Sequence, residues 1–352
     1  MGVRSTNPIQ SFFDDFYRSG TDAVSPAPGP NTFSVSGGNA TSTGGGYKYF
    51  YFTSPGNLAV QSVSGDGELE MSFMLVGGGG GGDDTGSGGG GAGAFVQKIN
   101  YSIASVPASP VNWAVAIGTG AGANDPSSNP KGGDSTFTIP TAPKTFTAEG
   151  GASGTQNTGL SSGGSGGGGG RVPPHAGGAS NVPQTIDESG NTPDTGIGYA
   201  GGNGFQNMPG PAGGTGGGGG GAGGVGSNSP STTSNPYGKA GKGGLGRAAF
   251  LGDTNVSASY GTSGPSPGRW FAGGGGGGNH TENTNYGGDA PDGGGGASGS
   301  PNTSSGFGGT PVTANTGGGG GGGGGTSNGF VGAGSAGADG ICIVRISTSN
   351  LS

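Results

Sequence analysis

Seven uninterrupted glycine runs, at 77–82, 88–91, 166–170, 216–221, 273–278, 293–296 and 317–325, punctuate this chain. A residue without a side chain has no core contact or side-chain pattern to offer, so only backbone hydrogen bonding can order such runs. Ordering one glycine costs about 1–2 kcal/mol of backbone entropy, whereas one hydrogen bond returns a net of only about 0.5–1.5 kcal/mol. An isolated run therefore stays unordered. Runs packed side by side can satisfy one another's amides. Near polyproline II geometry such a chain has three residues per turn and no internal hydrogen bonds. The resulting expectation is a bundle of polyglycine II helices, with the longest run at its centre.

Composition alone points elsewhere, since Gly 98 and Pro 24 make up about a third of 352 residues, a level that signals disorder when no collagen-like period is present. The flanking segments argue against disorder. Thr32–Val35, Tyr47–Phe52, Leu58–Val63, Leu69–Val76, Ala94–Ile103, Val111–Ile117 and Ser135–Ile139 are rich in strand formers and bounded by turn residues. They predict an all-β sandwich or partly open sheet. Ile341–Ile346 is expected to return beside Met71–Val76. The fold class that follows is mainly β plus a polyglycine II helix bundle. Residues 31–160 form the β module, 161–340 the bundle with its variable loops, and 341–352 the closing strand.

Asn7–Gly20 carries Ile9, Phe12, Phe13, Phe16 and Tyr17 at the spacing of one helical stripe, with Asn7, Pro8 and Gly20 placed as caps. So short a helix is marginal alone in water. It either packs on the chain's own sheet or, as the preferred expectation, docks on another subunit as an anchor, held off by the proline-rich Ser25–Pro30.

A net charge of −7 with 9% charged residues argues against nucleic acid, which needs clustered Lys and Arg. No stretch approaches the roughly 18 apolar residues of a membrane span, and Met1–Tyr17 lacks the apolar region of a signal peptide. A soluble, unprocessed protein is expected, with no membrane insertion. The single cysteine, Cys342, sits in a strand-like apolar segment and reads as a core residue. His175 and His280 stand in inserts without metal-spaced partners and read as solvated loop residues. Gly118–Ala123 lacks a following helix to hold a phosphate, and Gly241–Lys242 lacks the Ser or Thr of a phosphate loop. The carboxylate pairs Asp83–Asp84 and Asp187–Glu188 show no calcium-loop spacing. No catalytic residue, metal or cofactor is expected, and the chain is not read as an enzyme.

Leu69–Val76 running into Gly77–Gly82, Gly88–Gly93 opening Ala94–Val96, Ala114–Gly122, Gly132–Phe137, Phe146–Gly151 and the closing Gly340–Ile346 resemble the glycine-rich domain of bacteriophage tail-fibre and receptor-binding proteins. The resemblance covers roughly residues 57–347. It implies a virion protein of a phage tail or tail fibre, made in the host cytoplasm. It further implies attachment to other virion structural proteins through the N-terminal helix, and inserts that touch a bacterial surface glycan or outer-membrane protein. Tyr199, Phe205, Tyr237, Tyr260, Trp270, Phe271, Tyr286 and Phe307 lie in those inserts among small polar residues and become the receptor-binding candidates. A non-adhesive head or tail decoration or spacer protein is the alternative, and a secreted cellular glycine-rich structural protein a third. Host, receptor and oligomeric state are open.

Overall fold

The computed structural model describes residues 32–63, 67–84, 86–123, 131–155, 162–173, 175–206, 213–230, 239–280, 287–297, 309–310, 312–325 and 331–352. The expected anchor helix and its stripe, Ile9, Phe12, Phe13, Phe16 and Tyr17, lie outside the described residues.

Nine strands come first: Phe33–Gly37 (β1), Ala40–Gly44 (β2), Tyr47–Phe52 (β3), Gly56–Ser62 (β4), Gly67–Val76 (β5), Phe95–Val106 (β6), Val111–Ala116 (β7), Ser135–Ile139 (β8) and Lys144–Ala148 (β9). Five two-residue strands follow: Phe205–Gln206 (β10), Gly214–Thr215 (β11), Arg247–Ala248 (β12), Trp270–Phe271 (β13) and Asn279–His280 (β14). Ile341–Ser347 (β15) comes last.

Two five-stranded antiparallel sheets result, ordered β1-β4-β7-β8-β9 and β2-β3-β15-β5-β6. Alternation explains the first: Trp113 and Val115 on β7, and Phe137 and Ile139 on β8, point inward while their neighbours face out. Between the sheets Phe73 meets Phe137 and Phe146 edge-on, with centroids 5.0 and 4.8 Å apart, the arrangement favoured by ring quadrupoles. β15 enters the middle of the second sheet, pairing Ile341 with Val76 on one side and Cys342 with Phe52 on the other. This is the pairing with β5 that its sequence suggests.

The second sheet is buried on both faces. Phe73 and Leu75 join the inter-sheet core, while Met74 and Val76 turn to a second cluster with Tyr49, Tyr51, Phe250, Phe271, Ile341 and Ile343. That second face carries the glycine segments, several of which are direct continuations of strands. Gly77–Gly82 leaves β5, and Gly88–Gly93 leads back toward β6.

Glycine segments 273–278 and 216–221 bond in three directions in turn. Along 273–278, Gly273 and Gly276 donate to Gly293 and Gly296, Gly274 and Gly277 to Gly244 and Gly241, and Gly275 and Gly278 to Gly90 and Ser87. Along 216–221 the same rotation reaches Gly278 and Gly275, then Gly169 and Gly166, then Ser227 and Gly224. These bonds replace the water that an exposed glycine backbone would need. A side chain would block the approach: a Cβ on Gly79 would lie 2.0 Å from the Gly318 carbonyl oxygen.

The expected helix bundle is corrected by the secondary structure. The described residues contain no α-helix; Ala249–Leu251 and Thr348–Asn350 are three-residue 3-10 turns. The structure is β nearly throughout, built from several antiparallel sheets. The glycine segments are stretches whose amides mostly look outward to neighbours, and none forms a helix with bonds of its own. The expected lateral bonding is present; the expected helices are not.

Candidate binding surface

The insert between Gly246 and Gly273 begins and ends in paired strands. β12 pairs with β13 in antiparallel register, Arg247 opposite Phe271 and Ala248 opposite Trp270. Trp270 is further fixed by Thr262, with which it exchanges backbone hydrogen bonds of 2.9 and 3.0 Å. Its indole Nε1 donates to the Ser266 carbonyl at 3.1 Å. Gly264 lies flat against the ring, since a Cβ there would sit 2.3 Å from indole carbons. One side of the ring is therefore occupied by backbone.

The indole lines a cleft of about 250 Å³ with Leu245, Arg247, Leu251 and Ser266. Leu251 is 62% exposed, and Leu245 and Val225 are also open to solvent. Leu251 faces out because the preceding turn is left-handed. Phe250 (φ 47°) and Leu251 (φ 59°) both adopt positive φ before Gly252, while the Phe250 amide donates to the buried Gln97 Oε1 at 2.7 Å and the Phe250 ring joins the core. Ala272, buried in the second core just after β13, is left-handed as well (φ 57°). Burial lowers the Arg247 guanidinium, and the nearby Tyr199 opposes the shift; the group remains a cation. The cleft thus offers an aromatic edge, two aliphatic side chains and a positive charge.

A second cluster of polar groups lies at the opposite end of segment 216–221. There β11 pairs with β10 and β14, setting Thr215 across from Phe205 and Asn279. His280 is buried, contrary to its expected place in solvent, and burial followed by the Arg171 charge lowers its pKa to about 4. Asn279 is fully buried, and neither side-chain amide atom has a hydrogen-bond partner among the described residues. Among the described residues no group of three or more His, Cys, Asp or Glu could hold a metal ion, and no helix is long and apolar enough to cross a membrane.

The sequence profile of the glycine-rich domain family matches residues 53–347, from the end of β3 through β15. The chain belongs to the glycine-rich domain family. Among curated proteins no match is found.

Within this glycine-rich domain the eight aromatic candidates have different places. Trp270 lines the cleft, and Tyr199 is half-buried near Arg247. Phe205 is half-buried at the other end. Phe271 is fully buried in the second core, and Tyr260 stacks on Tyr51 with centroids 4.5 Å apart; both rings hold the insert to the sheet. Tyr237, Tyr286 and Phe307 lie outside the described residues. Arg247, Leu245 and Leu251 did not figure among the candidates. Their available signal was two leucines flanking an arginine in an otherwise small and polar stretch.

Proposed function

We propose that this glycine-rich protein is a phage virion structural protein, a tail fibre or fibre-tip adhesin, whose inserts bind a receptor on the bacterial surface. The observation that carries this reading is the Trp270 cleft. An indole, exposed Leu251 and Leu245 and a cationic Arg247 are held by a turn whose Phe250 and Leu251 are both left-handed. Backbone strain in non-glycine residues clusters where a surface is shaped for use, and an aromatic edge beside adaptable polar groups suits a glycan or a loop of an outer-membrane protein. The strand-to-glycine transitions that resemble phage receptor-binding proteins support the same reading. Attachment to other virion proteins falls to the N-terminal segment that holds Ile9, Phe12, Phe13, Phe16 and Tyr17.

The test is binding of fluorescent protein to a panel of bacterial strains, compared with Trp270→Ala and Leu251→Ser variants of unchanged melting temperature. Binding to some strains and at least tenfold weaker binding by the variants supports the reading. Absence of binding across the panel favours the decoration or spacer alternative, for which a rigid, laterally bonded glycine body suffices. Deleting Met1–Gly20 is expected to leave the fold intact and abolish incorporation into particles.

A further inference from the structure

A second pocket of about 250 Å³ opens on the second sheet and shares no lining residue with the Trp270 cleft. Its floor follows from the register. Arg345 on β15 pairs with Ser72 on β5 and Tyr49 on β3, and Ser347 pairs with Tyr47. Directly opposed residues share a face of the sheet, and Glu70, two residues from Ser72, shares it too. Asn100 on β6 and Ser349 complete the wall.

Several of these groups are already committed. Arg345 Nη1 reaches Asp253 Oδ2 at 2.5 Å, the Ser72 hydroxyl accepts the Asn100 backbone amide at 3.1 Å, and the Ser347 and Ser349 hydroxyls bond one another at 2.8 Å. The exposed Glu70 carboxylate and the Asn100 carboxamide have no partner among the described residues, and the buried Arg345 Nε has none either. Asn100 is held left-handed, at φ 51°, by the bulge where the β5–β6 register shifts between Met71 and Phe73, a conformation that Asn tolerates.

A wall so polar returns little to an apolar ligand. It combines an acceptor-only carboxylate with hydroxyls and amides that both donate and accept, within a volume below that of drug-sized sites. A ligand satisfying it must be small and carry several groups that both donate and accept. With the Arg345 charge already paired to Asp253, Glu70 leaves the pocket net negative and disfavours an anion. We propose that this pocket binds a single polyhydroxylated sugar ring, neutral or amine-bearing, with Glu70 accepting from its hydroxyls and Asn100 bridging them. The proposal is independent of the Trp270 cleft.

Backbone amide NMR of the full chain, titrated separately with D-glucose, D-galactose, D-glucosamine and D-glucuronate, tests it. The expected result is saturation by at least one of the first three with Kd on the order of 1 mM, with shifts centred on Ser72, Asn100 and Ser347. Glu70→Gln, and Asn100→Gly, which keeps the left-handed backbone, should each weaken that binding at least tenfold, while Trp270→Ala leaves it unchanged. No saturation by any of the first three sugars at roughly ten times that concentration, glucuronate binding as tightly as they do, or binding indifferent to both pocket variants would overturn it.

Discussion

The guanidinium carbon of Arg345 lies 4.5 Å from the ring centroid of Phe250, joining the last strand of the chain to the insert that carries the Trp270 cleft. Tyr47 receives the same cation at 4.6 Å. Asp253 closes the cluster, accepting from Arg345 Nη1 at 2.5 Å and from the Tyr49 hydroxyl at 2.6 Å. Burial alone would raise the Asp253 carboxyl, but hydrogen bonds from Tyr49, Asn255 and Arg345 outweigh it and hold the group below the usual carboxylate range.

Removing one member should therefore cost more than removing both. The Arg345 and Asp253 side chains are only 11% and 8% exposed, so Arg345→Met strands a buried carboxylate and is expected to destabilise by about 3–5 kcal/mol. Adding Asp253→Asn should recover part of that loss. Urea unfolding of both singles and the double mutant checks this; strictly additive losses would contradict the coupling.

Close approach of glycine segments predicts a steep contrast between two alanines. A Cβ on Gly275 would lie 1.9 Å from the Gly320 carbonyl oxygen, whereas one on Gly122 meets nothing within 4 Å. Gly275→Ala is expected to cost about 3 kcal/mol or more through forced separation of the segments, and Gly122→Ala to change stability by less than about 0.5 kcal/mol. Denaturant midpoints decide the matter, and equal effects would sink the packing account.

Acid should weaken the end that carries β14. The His280 pKa falls from 6.5 to about 4 because burial and Arg171 disfavour its charged form. Between those values the unfolded chain binds the proton and the folded one does not. Stability from this group is thus complete above pH 6.5 and is lost as pH falls toward 4. His280→Gln should flatten that part of the stability profile between pH 7 and 4.5, measured by urea midpoints; an unchanged slope would show that His280 is not the titrating group.

Cys342 is fully buried, and burial raises its thiol pKa. Because the thiolate is the reactive form, a thiol-specific reagent should leave the native protein unlabelled at pH 8 and label one site after denaturation. Labelling of the native form at the rate of the denatured one would place this strand outside the core.

Much of the β architecture was legible because its strands obey period-two burial or run continuously apolar, as in β5, β7 and β8. Ala40–Gly44 escaped notice because it is an edge strand of small polar residues with no buried alternation. Lys144–Ala148 offered only Phe146 as a large apolar residue. The glycine runs announced lateral hydrogen bonding, but a residue lacking Cβ gives no periodicity from which its element type can be read. The roles of Trp270 and Phe271 were equally hidden. Adjacent strand residues point to opposite sides, and only the tertiary fold says which side meets the Tyr49–Tyr51 face and which meets water.

With β15 seated between β3 and β5, the central slot of the second sheet is filled by residues that lie far along the chain from both of its neighbours. Until they arrive, Phe50, Phe52, Phe73 and Leu75 wait beside an empty lane, and the glycine segments that hang from β5 and β6 have no finished platform. Pairings this distant along the chain slow folding. A chain cut just before Ile341 would thus keep every other strand of that sheet and still be left as a sticky, half-zipped intermediate.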